Sequence, residues 1–351
     1  MAGTWESQNK ELPGVYLNIK TNTPLSITPG DRGTVVILQE LSTGDDHTMY
    51  TITATDAAYP ENATDADKKL TIEALKNAQT VILYKLPENH TADDVQTALE
   101  NLESVDFNAL SYPYDDQTEE KAYETAKTNI TNWISAMYDD EGVAMQAVLA
   151  NIDADSDRVI NVVQGVLLSD GTELSAAELT AWVAGATAGA SMRTSNTGKK
   201  YVGAVDVVPR MKSSAMTEAS KAGKFLLKVD KSQNVTIVYD INSYTSFTVE
   251  KGKMFRKNRI IRTLDNIKND LGVIYEGNYV GKYDNNDNGH ILLKNMYVAY
   301  LKEVQRLNAI KNFEPDDITI VEGIDSDAVA VEVAAQPVDS IEKIYVTVNL
   351  S

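Results

Sequence analysis

His47, His90 and His290 are the only side chains in this 351-residue sequence whose ordinary titration spans neutral pH, and no cysteine stands beside them. A nucleophile needs such a base within hydrogen-bond reach. All three histidines fall outside residues 96–245, where strand and helix signals alternate most regularly, so no imidazole-based triad is expected in that stretch. Each reads as a surface or structural residue, and a Ser–Lys pair is the one nucleophilic arrangement left open. The Gly-x-Ser-x-Gly elbow, the Walker phosphate loop and a dinucleotide glycine fingerprint after a strand are absent.

Two acidic runs have the every-other-residue spacing of calcium loops. Asp284, Asn286, Asn288 and Gly289 match the first half of such a loop, but the twelfth position is Asn295 where a bidentate Glu belongs, and strands are expected before it. Asp153, Asp155 and Asp157 are followed by Arg158 in place of the turn glycine. Both read as solvated loops, so no metal site and no cofactor is expected. With 51 Asp and Glu in the chain, two carboxylates close in sequence say nothing about acid–base roles.

The sign of one stretch departs from that of the whole. Residues 251–311 hold 12 Lys and Arg against 6 Asp and Glu, a local charge of +6 in a chain of net charge −19, which leaves −25 for the rest. Lys251, Lys253, Arg256, Lys257, Arg259 and Arg262 open this stretch, and a solvated helix start and a docking patch explain them equally well. An acidic chain with pI near 4.6 argues against nucleic acid or an anionic membrane as partner, because both demand clustered cations.

The elements that carry these residues can be read from periodicity. Residues 1–30 are rich in Pro, Thr, Asn and Gly and contain one alternating segment, Val15 to Ile19, between Pro13-Gly14 and Pro24, so they read as an arm bearing a strand. Strands are expected at Thr34–Gln39, Met49–Ala54 and Thr80–Tyr84, with a helix at Asp65–Asn77. Thr91 and Asp94 open a short helix, residues 107–112 look extended, and Tyr123, Ala126, Ile130, Trp133, Ile134 and Met137 recur at helical spacing. Strands at Ala144–Ala150 and Arg158–Gln164 and a helix opened by the Ser175–Glu178 capping box complete an α/β layer with mainly parallel strands. Helices then follow, one carrying Ile260, Ile261, Leu264 and Ile267 and one from about Gly289 to Asn312. Three β segments, Ile318–Val321, Val329–Val333 and Ile344–Leu350, close the sequence.

At this length two or three domains are expected, and 43% hydrophobic with 24% charged residues is ordinary globular composition. The first twenty residues lack an apolar h-region and no apolar run is long enough to span a bilayer, so synthesis in the cytosol without a secretion signal is expected.

Four stretches resemble the tail sheath proteins of contractile phages, prophages and phage-tail-like bacteriocins of Gram-positive bacteria: TWESQNKELPGVYLNI, FNALSYPYDDQTEEKAYETAKTNITNWI, KMFRKNRIIRTLDNIKND and SIEKIYVTVNL. The similarity is strongest at Pro13-Gly14-Val15-Tyr16 and in the helix after Arg256. The resemblance implies an α/β and α+β multidomain fold: an N-terminal arm (1–28), a small β-sandwich domain (29–95), a subtilisin-like α/β domain without a protease triad (96–245) and a C-terminal α+β sheath domain ending in a strand arm (246–351). It also implies a structural role and no enzyme activity. Subunits would stack as hexameric rings in a helical sheath around an inner tail tube, meet baseplate and tail terminator proteins, and contract to drive the tube through a cell envelope. Assembly would take place in the bacterial cytoplasm, the product being a virion tail or a released particle.

On that reading the inter-subunit strand arms are Val15, Tyr16, Leu17 and Ile19 at one end and Ile344, Tyr345, Val346, Val348 and Leu350 at the other. Strands completing the chain's own C-terminal sheet are the plainer alternative. Docking to the inner tube would fall to Lys251, Lys253, Lys257, Lys294, Lys302, Arg306 and Lys311. Two other classes remain open, a surface adhesin, suggested by the acidic, cysteine-free, Thr-rich composition, and an inactive or unusual α/β hydrolase.

Overall fold

A computed structural model describes residues 32–54, 58–115 and 122–349. The described residues divide into two compact units, one of residues up to Tyr275 together with residues 337–349, the other Glu276–Gln336. The arm residues Val15, Tyr16, Leu17 and Ile19 lie outside the described residues, as does Leu350.

In the larger unit the chain runs β1 (Thr34–Glu40), β2 (Met49–Thr53), α1 (Asp65–Leu75), β3 (Thr80–Leu86), α2 (Ala92–Leu102), β4 (Ala109–Ser111), α3 (Ala122–Asp139), β5 (Gln146–Ala150) and β6 (Val159–Val162). It continues through β7 (Gly165–Leu168), β8 (Glu173–Leu174), α4 (Ala176–Ala188), β9 (Ala204–Val208), α5 (Ser213–Lys221), β10 (Lys224–Phe225), β11 (Leu227–Val229) and β12 (Val235–Ile237) to α6 (Asn258–Asn278), whose first five turns belong to this unit. Seven strands form one sheet in the order β10-β6-β5-β4-β1-β3-β2, parallel except for the edge strand β2.

The sheet is buried on both faces, which is why its strands read as unbroken apolar runs. In β1, Val35 and Ile37 face a core built with α1 and α4, while Val36 and Leu38 face a second core built with α2 and α3. Helix α4 is apolar all round and accordingly sunk in the first core, with Trp182 stacked on Tyr201 at 4.2 Å between ring centroids. Its Gly185 lets α1 approach so closely that a Cβ there would lie 2.3 Å from the Ala74 carbonyl oxygen. Capping boxes open α1, α2 and α4 at Thr64, Thr91 and Ser175.

One expectation is corrected. Residues 29–95 are no separate β-sandwich, because β1, β2 and β3 belong to the same sheet as β4, β5 and β6; β1 pairs with β3 on one side and β4 on the other. Sequence periodicity places a strand in a layer but cannot name its neighbour.

In the smaller unit, α7 (Asp287–Arg306) packs on the hairpin of β14 (Ile318–Glu322) and β15 (Val329–Val333), with the two-residue β13 (Ile310–Lys311) between them in sequence. Leu293, Met296, Tyr300, Leu301 and Val304 form the buried stripe of α7. Over the last expected β segment, residues 338–349 pair with no strand among the described residues.

Candidate functional site

Three places could carry function. The first is the crevice at the carboxyl ends of the parallel strands, where α/β folds commonly bind ligands. The crossovers reverse direction around β1, making it the switch point. Here the residue spacing gives no hint of one participant. His90, which follows β3, is buried in this crevice, so it lies at the edge of the α/β sheet and not outside it. Its Nδ1 is 2.6 Å from Glu40 Oε1 at the end of β1, and its Nε2 is 2.7 Å from the Tyr112 hydroxyl just past β4. The Tyr112, Tyr114 and Tyr123 rings pack around the imidazole, Tyr114 at 4.5 Å between centroids. Burial pushes the Tyr112 and Tyr114 hydroxyls well above the ordinary phenol range. The imidazole is therefore enclosed by side chains of the crevice, and the Glu40–His90–Tyr112 chain is held internally by hydrogen bonds.

The acidic runs are also used internally. Asn286 caps α7 by accepting the Gly289 amide, and helix α6 precedes this run where strands were expected. Asp155 Oδ1 takes the Thr245 amide at 2.6 Å and the Ser246 amide at 3.1 Å, fastening the loop that follows β12.

The second place is the segment after Pro337. Its Glu342 carboxylate accepts from Lys257, from the Thr197 hydroxyl at 2.7 Å, from the Ser195 hydroxyl at 2.9 Å and from the Ser340 hydroxyl at 3.1 Å. Burial acts to raise this carboxyl, but the Lys257, Thr197 and Ser195 hydrogen bonds outweigh it and hold it below the ordinary glutamate value. Beyond this pin the apolar side chains turn to solvent: Ile344 is 77% exposed, Tyr345 90%, Val346 76% and Val348 75%.

The third place is the basic stretch, whose named residues are divided between the two units. Lys251 is partly exposed and paired with Asp157 at 3.1 Å, and Lys253 is exposed on the short 3-10 turn at Lys253–Arg256. Lys257 departs from the docking role expected of it, since it is 13% exposed and engaged with Glu342 and Asp339. Nothing local in the sequence signals a partner 85 positions away. In the smaller unit Lys302, Arg306 and Lys311 are exposed and Lys294 half-buried, with Arg306 held by Glu303 at 2.6 Å.

Matches to known proteins cover nearly all of the described chain. Residues 32–86 match the N-terminal region of tail sheath protein Gp18 domain III, residues 88–243 the phage tail sheath protein central domain, and residues 250–351 the phage tail sheath C-terminal domain. The crystal structure of a sheath tail protein from Desulfitobacterium hafniense is 33% identical with a TM-score of 0.80, the match covering 95% of this chain and 99% of that one. The chain belongs to the phage tail sheath family.

The tail sheath protein of Clostridium phage phiCD119 is 33% identical over 248 residues, 71% of this chain and 64% of that protein. Across the curated relatives it matches, this chain spans 56% to 64% of their length. The fold, though not sequence similarity, extends to the helical sheath of the anti-feeding prophage in its contracted state, at 14% identity and a TM-score of 0.72 over 98% of this chain and all of that one. Among these sheath proteins a mixed α/β multidomain fold is the shared feature. The first sheath-family match ends at Leu86 and the second begins two residues later, so the family's division falls between β3 and α2, inside the single sheet.

Proposed function

We propose that this chain is a structural subunit of a contractile tail sheath and not an enzyme. It polymerises as stacked hexameric rings around an inner tail tube, joins baseplate and tail terminator proteins at the ends, and on contraction drives the tube through a target envelope. Assembly takes place in the cytoplasm, and the product is a phage tail or a phage-tail-like particle. The α/β unit serves as a subtilisin-like scaffold without a protease triad, a reading supported by helices on both faces of a parallel sheet and by the internal hydrogen bonds that occupy His90.

The observation that carries the proposal is the segment beyond Glu342. Ile344, Val346 and Val348 alternate with Tyr345, Thr347 and Asn349 at strand period, yet stand exposed with no strand partner among the described residues. Strand addition to a neighbouring copy satisfies this backbone, and burying each of the three apolar side chains contributes about 1.5–3 kcal/mol. A contact of this head-to-tail kind propagates into rings and helices in place of closed dimers. The same reading gives Val15, Tyr16, Leu17 and Ile19 a matching role, and the exposed Lys251, Lys253, Lys302, Arg306 and Lys311, with Lys294, the task of meeting the tube. Negative-stain electron microscopy of the purified protein tests the proposal. Tubes of uniform width are expected; a persistent monomer at high concentration and in the presence of the tube protein contradicts it.

A further inference from the structure

The cavity beside the root of the C-terminal segment is lined by cations that its own chain does not fully satisfy. It measures about 200 Å³ and is lined by Tyr239, Lys253, Met254, Arg256, Lys257 and Asp339, all in the larger unit. Lys257 is already neutralised by Glu342 and Asp339. Lys253 and Arg256 have no carboxylate partner among the described residues. Arg256 is only 8% exposed, and its Nε and Nη2 are buried without a hydrogen-bond partner. Its guanidinium has one visible neighbour of opposite polarity, the Tyr239 ring, at 6.0 Å from the centroid. A buried guanidinium without an acceptor is destabilising by more than a ring face returns, so its position makes sense when an anion completes it.

We propose that this cavity is a socket for an Asp or Glu side chain of a second copy of this chain, its carboxylate bridging Arg256 and Lys253, so that Lys253 serves this contact and the other exposed cations are left to the tube. The inference rests on the polymerising role proposed above. Charge complementarity selects the occupant: outside residues 251–311 each copy carries −25, so a neighbouring copy is rich in carboxylates. Placement agrees with it, because Asp339 on the cavity wall belongs to the segment proposed to reach the next subunit. A planar, forked guanidinium is suited to two-point recognition of a carboxylate, and Met254 and Tyr239 supply the apolar wall that strengthens the pair.

Two measurements on the full chain decide the matter. Arg256→Gln removes a buried, unpaired charge from the free subunit, so its melting temperature is expected to hold or rise, while the concentration needed for polymerisation increases about tenfold. Unchanged polymerisation, or a loss fully explained by a lower melting temperature, overturns the socket. In the second measurement, polymers grown from mixed heavy-isotope-labelled and unlabelled chains are treated with a zero-length carbodiimide. Mixed-label peptides joining Lys253 to an Asp or Glu are expected. Links only within one chain, to Asp339, or to the tube protein in co-assembled material, count against a second copy as occupant. Wild-type protein that forms no polymer contradicts the sheath role itself, whereas normal polymers of Arg256→Gln contradict the socket alone.

Discussion

Thr197 donates its hydroxyl to Glu342 at 2.7 Å although 145 positions separate them, and through that bond the segment after Pro337 is fastened to the loop following α4. Together with Asp339, paired with Lys257, and Lys343, set over the Tyr239 ring, this carboxylate holds the root from which Ile344 to Val348 leave. Because the folded value of Glu342 is depressed, its contribution is present above the ordinary 4.5 and is lost as pH falls through the lower folded value. The chain has no cysteine, so a spin label on Val346→Cys reports the segment alone. Its spectrum is expected to sharpen on acidification below pH 4.5. Glu342→Gln, which loses the Lys257 ion pair, is expected to show the mobile spectrum already at neutral pH, with the segment held about 1–3 kcal/mol less firmly. A label whose mobility ignores both changes removes the pin.

Deleting residues 341–351 is expected to leave a soluble, folded monomer that no longer polymerises, and deleting residues 1–20 to do the same. Circular dichroism and sedimentation velocity check both halves of the statement. Tubes formed by either deletion as readily as by the full chain sink the strand-addition mechanism, and unfolding of the deleted chains favours an intramolecular role for the ends.

Arg262 is fully buried and donates to Asp240 at 2.7 Å and to the Thr194 carbonyl at 2.7 Å, tying the start of α6 to the loop after β12. Burial acts to raise the Asp240 carboxyl, but Arg262 outweighs it and keeps it ionised. Arg262→Met should therefore cost about 3–5 kcal/mol, since it strands a buried carboxylate. With its partner gone, Asp240 has a folded value above the unfolded one, so the variant is expected to lose further stability as pH rises. Urea denaturation at mildly acidic and mildly alkaline pH measures both effects; a loss below about 1 kcal/mol at either pH would falsify the account.

Gly185→Ala improves intrinsic helix propensity by about 1 kcal/mol, yet it drives a methyl group into the Ala74 carbonyl. The clash is with backbone, which cannot swing aside, so net destabilisation of about 1–3 kcal/mol is expected. A variant that melts above the wild type shows that α1 and α4 slide apart freely.

His90→Ala leaves Glu40 and Tyr112 without their shared partner and opens a void among three tyrosine rings, a change expected to lower stability by about 2–4 kcal/mol. Peptide and ester substrates assayed alongside should show no turnover by the wild type. Hydrolysis that vanishes with this substitution would make the crevice an active site.

What is legible in the sequence follows the range of the interactions involved. The Thr91–Asp94 and Ser175–Glu178 boxes are closed by bonds between residues three apart, so local sequence alone is enough to place α2 and α4. The apolar runs of β1, β3 and β5 announce buried strands for the same reason. Which strand lies beside which depends on side-chain packing across dozens of residues, and so periodicity leaves the shared sheet of β1 and β4 divided between two domains. His90 reads as a bystander because its partners, Glu40 and Tyr112, come from different strand ends that only the sheet order unites. Lys257 reads as a free cation because Glu342 becomes its partner only in three dimensions. The alternation from Ile344 to Val348 is legible, but residues 338–349 pair with no strand among the described residues.

The pin on Glu342 also orders events in time. The last strand of the seven-stranded sheet ends at Phe225, and Ser195, Thr197 and Lys257 are all made before residue 342. During synthesis the sheet can close while residue 342 does not yet exist, and the receptor groups for Glu342 wait in place. A nascent chain can thus fold its scaffold on the ribosome before residues 338–349 exist. On the proposed strand-addition mechanism, the C-terminal arm is offered to a neighbour only after the scaffold that carries it can fold.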